Sequence, residues 1–260
     1  MSVANSTVFS SDNKIEKNGI MIRIDAKGLD YATINGKLRN TKSELEILNC
    51  CGQRFIAAGM SDKAITITGT PGNALGAYLN GAAIRVKGNA QDAVGDTMND
   101  GYIVVEGNIG DAAGYAMRGG RIYVKGNAGY RAGIHMKAYE DKVPVMIIGG
   151  KAGSFLGEYQ AGGRIIVLGL TENDKPIVSN FPCTGMHGGK MYLRSDCSNI
   201  RFPSQVRATR ATKADLDEIK PYLTEYCALL GLEVNDVMNA EFTVITPDTK
   251  NPYKQMYVAN

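Results

Sequence analysis

The sequence has little of the side-chain chemistry that catalysis and metal binding use. Its 260 residues include no tryptophan, two histidines and five cysteines. The cysteines (Cys50, Cys51, Cys183, Cys197 and Cys227) are irregularly spaced and form no CxxC pair, which argues against a zinc site or an iron–sulfur loop. The nucleophile elbow GxSxG, the Walker phosphate-binding motif and a dinucleotide-binding GxGxxG turn are also missing. We therefore predict no cofactor and no metal in this chain.

Charge and hydrophobicity exclude further classes. The formal net charge is +3, which is too small to predict nucleic-acid binding without a clustered basic patch. No apolar run approaches the ~18 residues of a membrane-spanning helix. The first residues have no apolar stretch of the kind found in signal peptides. We expect a cytoplasmic protein without nucleic-acid or membrane partners.

Glycine, in contrast, is abundant. It contributes 31 of the 260 residues, about 12%, against a usual share of about 7%. With only eight prolines, the excess does not indicate collagen, and the glycines stand among isoleucine, valine and methionine rather than in a flexible linker. Residues 59–189 hold 26 of the 31 glycines, so the excess belongs to one region.

The glycines recur every 19 residues in two series that are offset by seven, with a five-residue insertion near residues 138–144. The first series is Gly69, Gly88, Gly107, Gly126, Gly150 and Gly169, and the second is Gly76, Gly95, Gly114, Gly133 and Gly157. An earlier, weaker copy is assigned to Gly52 and Gly59. Self-similarity at a fixed period near 20 residues predicts a solenoid.

A short strand pattern precedes the first glycine of each repeat, as in AIRVKG and YIVVEG. Its inward positions form an aliphatic column of Ile65, Ile84, Ile103, Ile122, Met146 and Ile165. A period of 19 is not a multiple of six, and leucine is scarce, so a hexapeptide helix and a leucine-rich repeat are excluded. The pattern predicts an all-β fold: a right-handed parallel β-helix, a single-stranded solenoid of about seven coils of ~19 residues.

The predicted β-helix occupies residues 45–195. A small N-terminal α/β flank (1–44) precedes it, and a C-terminal helical and extended tail (196–260) follows. In the tail, Thr212 and Asp215 resemble a capping box that starts a helix, and Gly231 is placed to end it. Pro221 is expected to end or kink that helix.

Gly-Asn pairs predict where the coil turns its corners. Glycine and asparagine tolerate positive φ, which a tight corner needs. Asn89, Asn108 and Asn127 are predicted to stack about 4.8 Å apart and to share amide hydrogen bonds. A Gly107→Val change is expected to destabilise the fold through a forbidden backbone angle.

Two features point to surfaces of functional interest. The outward column containing Tyr123, Ile147 and Ile166 is apolar, so it is covered either by the chain's own tail or by a partner. Cys183 and His187 lie in an irregular insertion at residues 170–188, where they could face a partner or form a thiol–imidazole pair.

The repeated strand–Gly–Asn units, with paired glycines before the next strand as in GGRIYVKGNAGYRAG, GGRIIVLG and GGKMYL, resemble the GXGXG domain. That domain forms the C-terminal right-handed β-helix of the glutamate synthase large (alpha) subunit, and it also forms one of the subunits of formylmethanofuran dehydrogenase. The resemblance covers about residues 45–195. The flanks look more like the stand-alone form, in which the amidotransferase, FMN and GXGXG parts are separate chains.

This resemblance implies a non-catalytic structural subunit of a glutamate synthase-type complex, which acts in glutamate biosynthesis and nitrogen metabolism. The implied partners are an FMN-binding glutamate synthase subunit and a glutamine amidotransferase subunit. FMN and iron–sulfur clusters are expected in those partners, and no catalytic residue of the family can be carried onto this sequence.

Several alternatives stay open at this point. The chain could be the GXGXG component of a formylmethanofuran dehydrogenase or formyltransferase/hydrolase complex, or a subunit of N-methylglutamate synthase. It could also be an independent β-helix enzyme for carbohydrates or esters, which would need a cleft lined by several of Asp92, Asp96, Asp111, Glu158 and His187. The sequence leaves the partner-binding face and self-association undecided.

Overall fold

The structure is a computed structural model, and it describes residues 21–41, 44–171 and 176–248. The outer parts of the predicted flank and tail, residues 1–20 and 249–260, lie outside the described residues. The strands are β1 (Ile22–Asp25), β2 (Leu45–Cys51), β3 (Ala64–Thr70), β4 (Asn80–Lys87), β5 (Asp100–Val105), β6 (Arg121–Val124), β7 (Val145–Ile148), β8 (Ala161–Val167), β9 (Gly188–Leu193), β10 (Val206–Arg210) and β11 (Thr243–Pro247). The helices are α1 (Tyr31–Arg39), α2 (Lys213–Leu230) and α3 (Val234–Met238).

Strands β1 to β9 lie side by side in chain order and form a parallel β-solenoid of about eight turns. The 19-residue period sets the register, since Ile65 pairs with Ile84, and Ile84 with Ile103. The predicted parallel solenoid is confirmed. It has about one turn more than the seven predicted, because β1 of the supposed flank also pairs in parallel with β2, Ile22 opposite Leu45.

The interior of the solenoid is filled by stacked aliphatic columns. The predicted inward column from Ile65 to Ile165 is fully buried. A second column, Leu75, Val94, Ala113, Ala132 and Leu156, closes the opposite side of the core. Because each coil buries its apolar side chains against its two neighbours, the core is continuous along the axis.

One polar residue interrupts a buried methionine column, which otherwise contains Met98, Met117, Met136 and Met186. Gln160 is fully buried, and its Nε2 donates hydrogen bonds to the carbonyl oxygens of Gly162 at 3.1 Å and Gly163 at 3.3 Å. The pairing of β8 with β9 shifts register between Ala161 and Arg164. Gln160 therefore satisfies backbone acceptors at an irregular part of the ladder.

The asparagines at the corners connect successive coils, but not as amide-to-amide pairs. Asn89 Oδ1 accepts a hydrogen bond from the backbone N–H of Asn108 at 2.8 Å. Asn108 Oδ1 accepts from Asn127 N–H at 2.7 Å, and Asn127 Oδ1 from Lys151 N–H at 2.8 Å. The predicted stack exists one coil apart, and its bonds satisfy the backbone of the next coil.

The turn glycines have two distinct physical roles. Eight of the eleven have φ between +62° and +151°, as predicted for left-handed corners. They are Gly69, Gly76, Gly88, Gly95, Gly114, Gly133, Gly157 and Gly169. The remaining three, Gly107, Gly126 and Gly150, do not have positive φ, so the forbidden-angle explanation for Gly107 is wrong.

Close approach explains Gly107 instead. A Cβ at this position would lie 2.2 Å from Asn89 Oδ1 and 2.7 Å from the Gly88 carbonyl oxygen. A Cβ at Gly126 would likewise lie 2.4 Å from Asn108 Oδ1. Glycine is needed here because the capping oxygen of the preceding coil occupies the space of a side chain.

The earliest repeat aligns two residues earlier than predicted. Cys50 pairs with Gly69, and the N–H of Gly76 donates to the carbonyl oxygen of Ile56, the residue before Ala57. The equivalents of Gly69 and Gly76 are therefore Cys50 and Ala57, two residues before the predicted Gly52 and Gly59. Ala57 keeps the left-handed backbone with φ +59°.

The tail extends the sheet and then covers it. Strand β11 pairs antiparallel with β9, and β10 with β11. Helix α2 begins at the predicted capping box of Thr212 and Asp215 and ends at left-handed Gly231, with φ +68°. It continues through Pro221, so the predicted helix end there is wrong. Pro221 is exposed, on the side of the helix away from the buried residues.

The helices differ in length and hydrophobicity from a membrane span. Among residues 21–41, 44–171 and 176–248, no helix is long and apolar enough to cross a bilayer.

We predict that Gly107→Ala lowers the free energy of unfolding by about 1–3 kcal/mol, because the new Cβ overlaps Asn89 Oδ1 and the Gly88 backbone. Urea unfolding followed by circular dichroism measures the change. Asn89→Ala in the same chain should relieve only part of it, because the Gly88 oxygen remains.

Gly36→Ala is the matched control. Gly36 lies in α1, and nothing is within 4 Å of a Cβ built there, so the change should be neutral or stabilising. Equal destabilisation by the two substitutions would contradict the close-approach explanation.

Candidate functional site

The outward face of the sheet is covered by helix α2 of the same chain. Tyr123, Ile147 and Ile166 are fully buried in a second core cluster, together with Ile219 and Leu223 of α2. The prediction that these three residues face a partner is therefore wrong, and the alternative of cover by the chain's own tail is correct. The reason is the apolar side of α2, which matches the apolar stripe on the sheet.

Buried aromatic rings anchor the middle of the helix to the sheet. The rings of Tyr123 and Tyr226 meet edge to face, with centroids 5.8 Å apart. The Tyr226 hydroxyl donates to the Val124 carbonyl oxygen at 3.2 Å. Burial raises the pKa of Tyr226, so this hydroxyl stays protonated and serves as a donor.

A polar network surrounds Glu225 beside this contact. Tyr123 donates its hydroxyl proton to Glu225 Oε2 at 2.6 Å, and Arg121 forms an ion pair with the same carboxylate. Arg121 also donates to the Tyr102 hydroxyl at 2.7 Å. Burial, followed by the negative charge of Glu225, raises the pKa of Tyr123, and burial raises the pKa of Tyr102 to about 12. Neither phenol is suited to exchange protons near neutral pH.

A second network holds the first half of α2. Glu218 accepts from Lys190 Nζ and from Arg164 Nε, both at 2.6 Å, and Asp215 lies 3.3 Å from Lys190. Burial disfavours ionisation of Glu218, but the hydrogen bonds from Lys190 and Arg164 outweigh it and lower its pKa. The Thr212 side chain is the main cause of the lowered pKa of Asp215. These charges attach the helix to the sheet.

The insertion at residues 170–188 does not bring Cys183 and His187 into a catalytic arrangement. Cys183 is fully buried, 3.5 Å from the sulfur of Met191, and burial raises the pKa of its thiol. Cys183 therefore does not face a partner, and a reactive thiolate is disfavoured. His187 is half-buried, with Nδ1 3.0 Å from the Gly185 carbonyl oxygen.

The carboxylates proposed for an independent enzyme serve structural contacts. Asp92 Oδ1 accepts from the backbone N–H of Asp111 at 2.9 Å, and Asp111 Oδ1 from that of Tyr130 at 2.7 Å. Glu158 pairs with Arg131 at 2.8 Å. Asp92 and Asp111 lie in one column, one coil apart, and the carboxylate of each caps a backbone N–H group of the next coil.

These groups do not line the best-formed surface cavities of the described ranges. Three such cavities have volumes of about 150, 480 and 600 Å³, and their walls include none of Asp92, Asp96, Asp111, Glu158 or His187. Over the same ranges, no group of three or more His, Cys, Asp or Glu side chains is placed to hold a metal ion.

Comparison with known proteins shows which family this chain belongs to. The model of the GXGXG motif family matches residues 27–249. The chain belongs to the GXGXG motif family. A protein of Methanocaldococcus jannaschii, described only as uncharacterized, is 42% identical over 248 residues, which cover 90% of this chain and 95% of the relative.

The GXGXG match extends beyond the glycine repeats on both sides. It includes helix α1, helix α2 and strand β11 as well as the solenoid. The covering helix is therefore within the matched region, and the apolar stripe on the sheet is satisfied within this chain.

Two features of the covered face are absent from the sequence-based predictions. The Glu225 network joins residues that are about 100 positions apart, and no local pattern indicates such a pairing. The Tyr192 hydroxyl, buried under the same helix, has no hydrogen-bond partner within the described residues. The sequence offers one signal for the packing of α2 on the sheet. Arg164 and Lys190 of the sheet carry charges opposite to that of Glu218 of the helix.

The lowered pKa of Glu218 predicts an acid-sensitive contact. An unfolded glutamate titrates near 4.3, so the stabilisation is present above that pH and is lost as the pH falls through the lower folded value. We predict that Glu218→Gln lowers the free energy of unfolding by about 1–2 kcal/mol at pH 7. The difference from the parent should shrink below about pH 4. Urea unfolding at several pH values measures it.

Asp217→Asn on the same helix is the control. Asp217 is exposed and forms no ion pair within the described residues, so its effect should stay within about 0.5 kcal/mol. A pH-independent effect of Glu218→Gln would show that the ion pairs do not stabilise α2.

We also predict that Leu223→Ala destabilises the protein by about 2–5 kcal/mol, because it removes a fully buried side chain between α2 and the sheet. Exposure of the apolar stripe should increase binding of an apolar dye at intermediate urea concentrations. Lys220→Ala, one turn earlier and exposed, should leave both quantities unchanged. A negligible effect of Leu223→Ala would contradict cover by α2.

Proposed function

We propose that this chain is a non-catalytic assembly subunit of a glutamate synthase-type complex in glutamate biosynthesis, acting in the cytoplasm. The observation that carries the proposal is its membership of the GXGXG motif family over residues 27–249. The structural contacts of the candidate nucleophile and carboxylates are consistent with a non-catalytic subunit. Cys183 is buried, and Asp92, Asp111 and Glu158 are engaged in contacts that hold coils together.

The solenoid suits a bracing role for a physical reason. Each coil is joined to the next by strand hydrogen bonds, side-chain caps and a continuous apolar core. Helix α2 is attached across the coils of β4, β6, β8 and β9 through Arg85, Arg121, Arg164 and Lys190. Such a body bends little, so it holds partners at a constant separation.

The proposed partners are an FMN-binding glutamate synthase subunit and a glutamine amidotransferase subunit. The amidotransferase releases ammonia from glutamine, and the FMN subunit uses it for the reductive amination of 2-oxoglutarate. FMN and the iron–sulfur clusters belong to those partners in this proposal. This chain contributes position rather than chemistry.

The proposal predicts a complex that depends on this chain. The chain is co-expressed with the FMN-binding and amidotransferase proteins encoded in the same genome, and the mixture is analysed by size-exclusion chromatography with light scattering. We expect co-elution, and glutamine-dependent glutamate formation that falls when this chain is omitted. The pure chain should hydrolyse no glutamine.

Two results would contradict the proposal. One is glutamine turnover by the pure chain, and the other is full activity of the two partners without it. Specific binding to a formyltransferase subunit instead would indicate the formylmethanofuran dehydrogenase-like alternative.

A further inference from the structure

One exposed corner of the solenoid carries a row of aromatic rings. We call it the aromatic corner. It consists of Tyr115, Tyr130, His135, Phe155, Tyr159 and Phe181. It lies on the opposite side of the coil from the inward isoleucine column, and α2 does not cover it. Phe181 is 61% exposed, Tyr115 41% and Tyr130 38%.

The backbone of this corner makes large side chains costly. In each coil, three alternating residues are left-handed, and the first and third of them point outward. Three successive coils have alanine at the first position (Ala74, Ala93 and Ala112), and the coil before them has Phe55, all with φ of +54° to +62°. Later coils have Phe155 and Phe181 there, with φ of +59° and +58°.

A left-handed backbone disfavours bulky residues, and glycine would be the stable choice. Arg131, His135 and Tyr159 are also left-handed, with φ between +53° and +58°. Strained residues that persist on an exposed surface point to a function outside the fold itself. The large side chains of the aromatic corner therefore need an explanation other than stability.

Ring geometry narrows the kind of ligand. His135 and Tyr159 are stacked at 5.1 Å with an interplanar angle of 9°, and Phe155 lies 5.3 Å from Tyr130 and 5.1 Å from Phe181. His135 and Tyr159 therefore cover one ring face of each other, while the rings of Tyr130, Phe155 and Phe181 meet at angles of 60° and 40°. Contacts between neighbouring rings leave less open ring face for the stacking of sugars or nucleic-acid bases. Aromatic side chains are enriched in the cores of protein–protein interfaces.

A cavity adjoins the row at Phe181. Its volume is about 480 Å³, and its apolar walls include Phe181, Pro182, Ile200 and Phe202. This volume lies in the range of pockets that accept a large side chain or a small ligand. The corner thus combines an aromatic surface with a recess, as protein interfaces do at their central contacts.

An exposed positive charge lies beside the cavity. Arg201 lines the cavity, is exposed, and has no ion pair within the part of the chain that the structure describes. Glu158, a carboxylate beside the row, is buried and held by Arg131 at 2.8 Å. A partner surface that carries carboxylates would therefore complement the positive charge of Arg201.

We propose that the aromatic corner and its adjoining cavity form a docking surface for an acidic segment of a partner protein, with an apolar side chain of that segment in the cavity and a carboxylate on Arg201. The inference rests on the proposed function only for the identity of the partner. It makes this corner, rather than the sheet face under α2, the place where the complex is held together.

Phe181→Gly tests the surface without a folding penalty. Glycine suits the left-handed backbone, so the melting temperature should stay within about 4 °C of the parent. Ala93→Gly makes the same kind of backbone change in an earlier coil, at φ +56° and outside the aromatic corner, and serves as the control. Arg201→Glu tests the charge, with Arg39→Glu on exposed α1 as its control. If Phe181→Gly fails to fold, the comparison of Arg201→Glu with Arg39→Glu tests the docking surface.

The first measurement is fluorescence anisotropy with a labelled peptide that carries glutamates on both sides of a phenylalanine. We expect it to bind the parent at least about tenfold more tightly than a matched lysine peptide. Phe181→Gly and Arg201→Glu should each weaken binding by about tenfold or more, and the controls should not. Equal binding of both peptides, no binding of the acidic peptide, or no effect of the two variants would overturn the inference.

The second measurement repeats the variants with the FMN-binding subunit and the amidotransferase. Loss of complex with Phe181→Gly and Arg201→Glu, but not with the controls, supports both proposals. If the parent forms the complex and the two variants form it equally well, the docking surface is wrong and the proposed function stands. If the parent binds neither subunit but binds the acidic peptide as expected, the proposed function fails and the docking surface stands.

Discussion

The rest of the structure depends on hydrogen bonds from the backbone N–H groups of one coil to side-chain oxygens of the coil before. Asn89, Asn108 and Asp92 each supply one such oxygen at a corner. A corner turns the backbone away from the sheet, so its N–H groups lose their strand partners. The side-chain oxygen replaces that partner, and it occupies the space in which the next coil would place a Cβ. Glycine at Gly107 or Gly126 is the consequence.

Much of the fold could be predicted because its determinants are local and repeated. The isoleucine column from Ile65 to Ile165 and the capping box at Thr212 are periodic or short-range signals, and both are present. The sequence does not predict that β1 belongs to the solenoid, because the glycine repeat does not extend to this strand. The continuation of α2 through Pro221 was missed because burial on the far side of the helix, which no local pattern shows, outweighs the lost hydrogen bond.

The surfaces were harder to predict than the core. The sequence identified Tyr123, Ile147 and Ile166 as a covered column, but the choice between tail and partner needed the contacts of Leu223 and Tyr226 in space. The aromatic corner is not predicted from the sequence, because its residues occupy positions whose side chains vary from coil to coil and no common motif links them. The left-handed φ values of these large residues become apparent only from the backbone conformation of the structure.

Together these features separate two sides of the molecule. The sheet side is closed by α2, whose ion pairs through Glu218 and Glu225 hold it in place. The opposite corner carries exposed rings and an exposed cation, Arg201, beside a cavity. A bracing subunit needs a stiff body and an accessible face, and this division provides both within one chain.

Hydrogen–deuterium exchange of the corner amides, measured by NMR, tests the central claim most directly. The amide of Asn108, whose acceptor is Asn89 Oδ1, should exchange about as slowly as strand amides such as that of Ile103, and Asn89→Ala should remove this protection at Asn108 while leaving Ile103 protected. Exchange of Asn108 at the rate of an unprotected peptide in the parent, or unchanged protection in Asn89→Ala, would contradict the account.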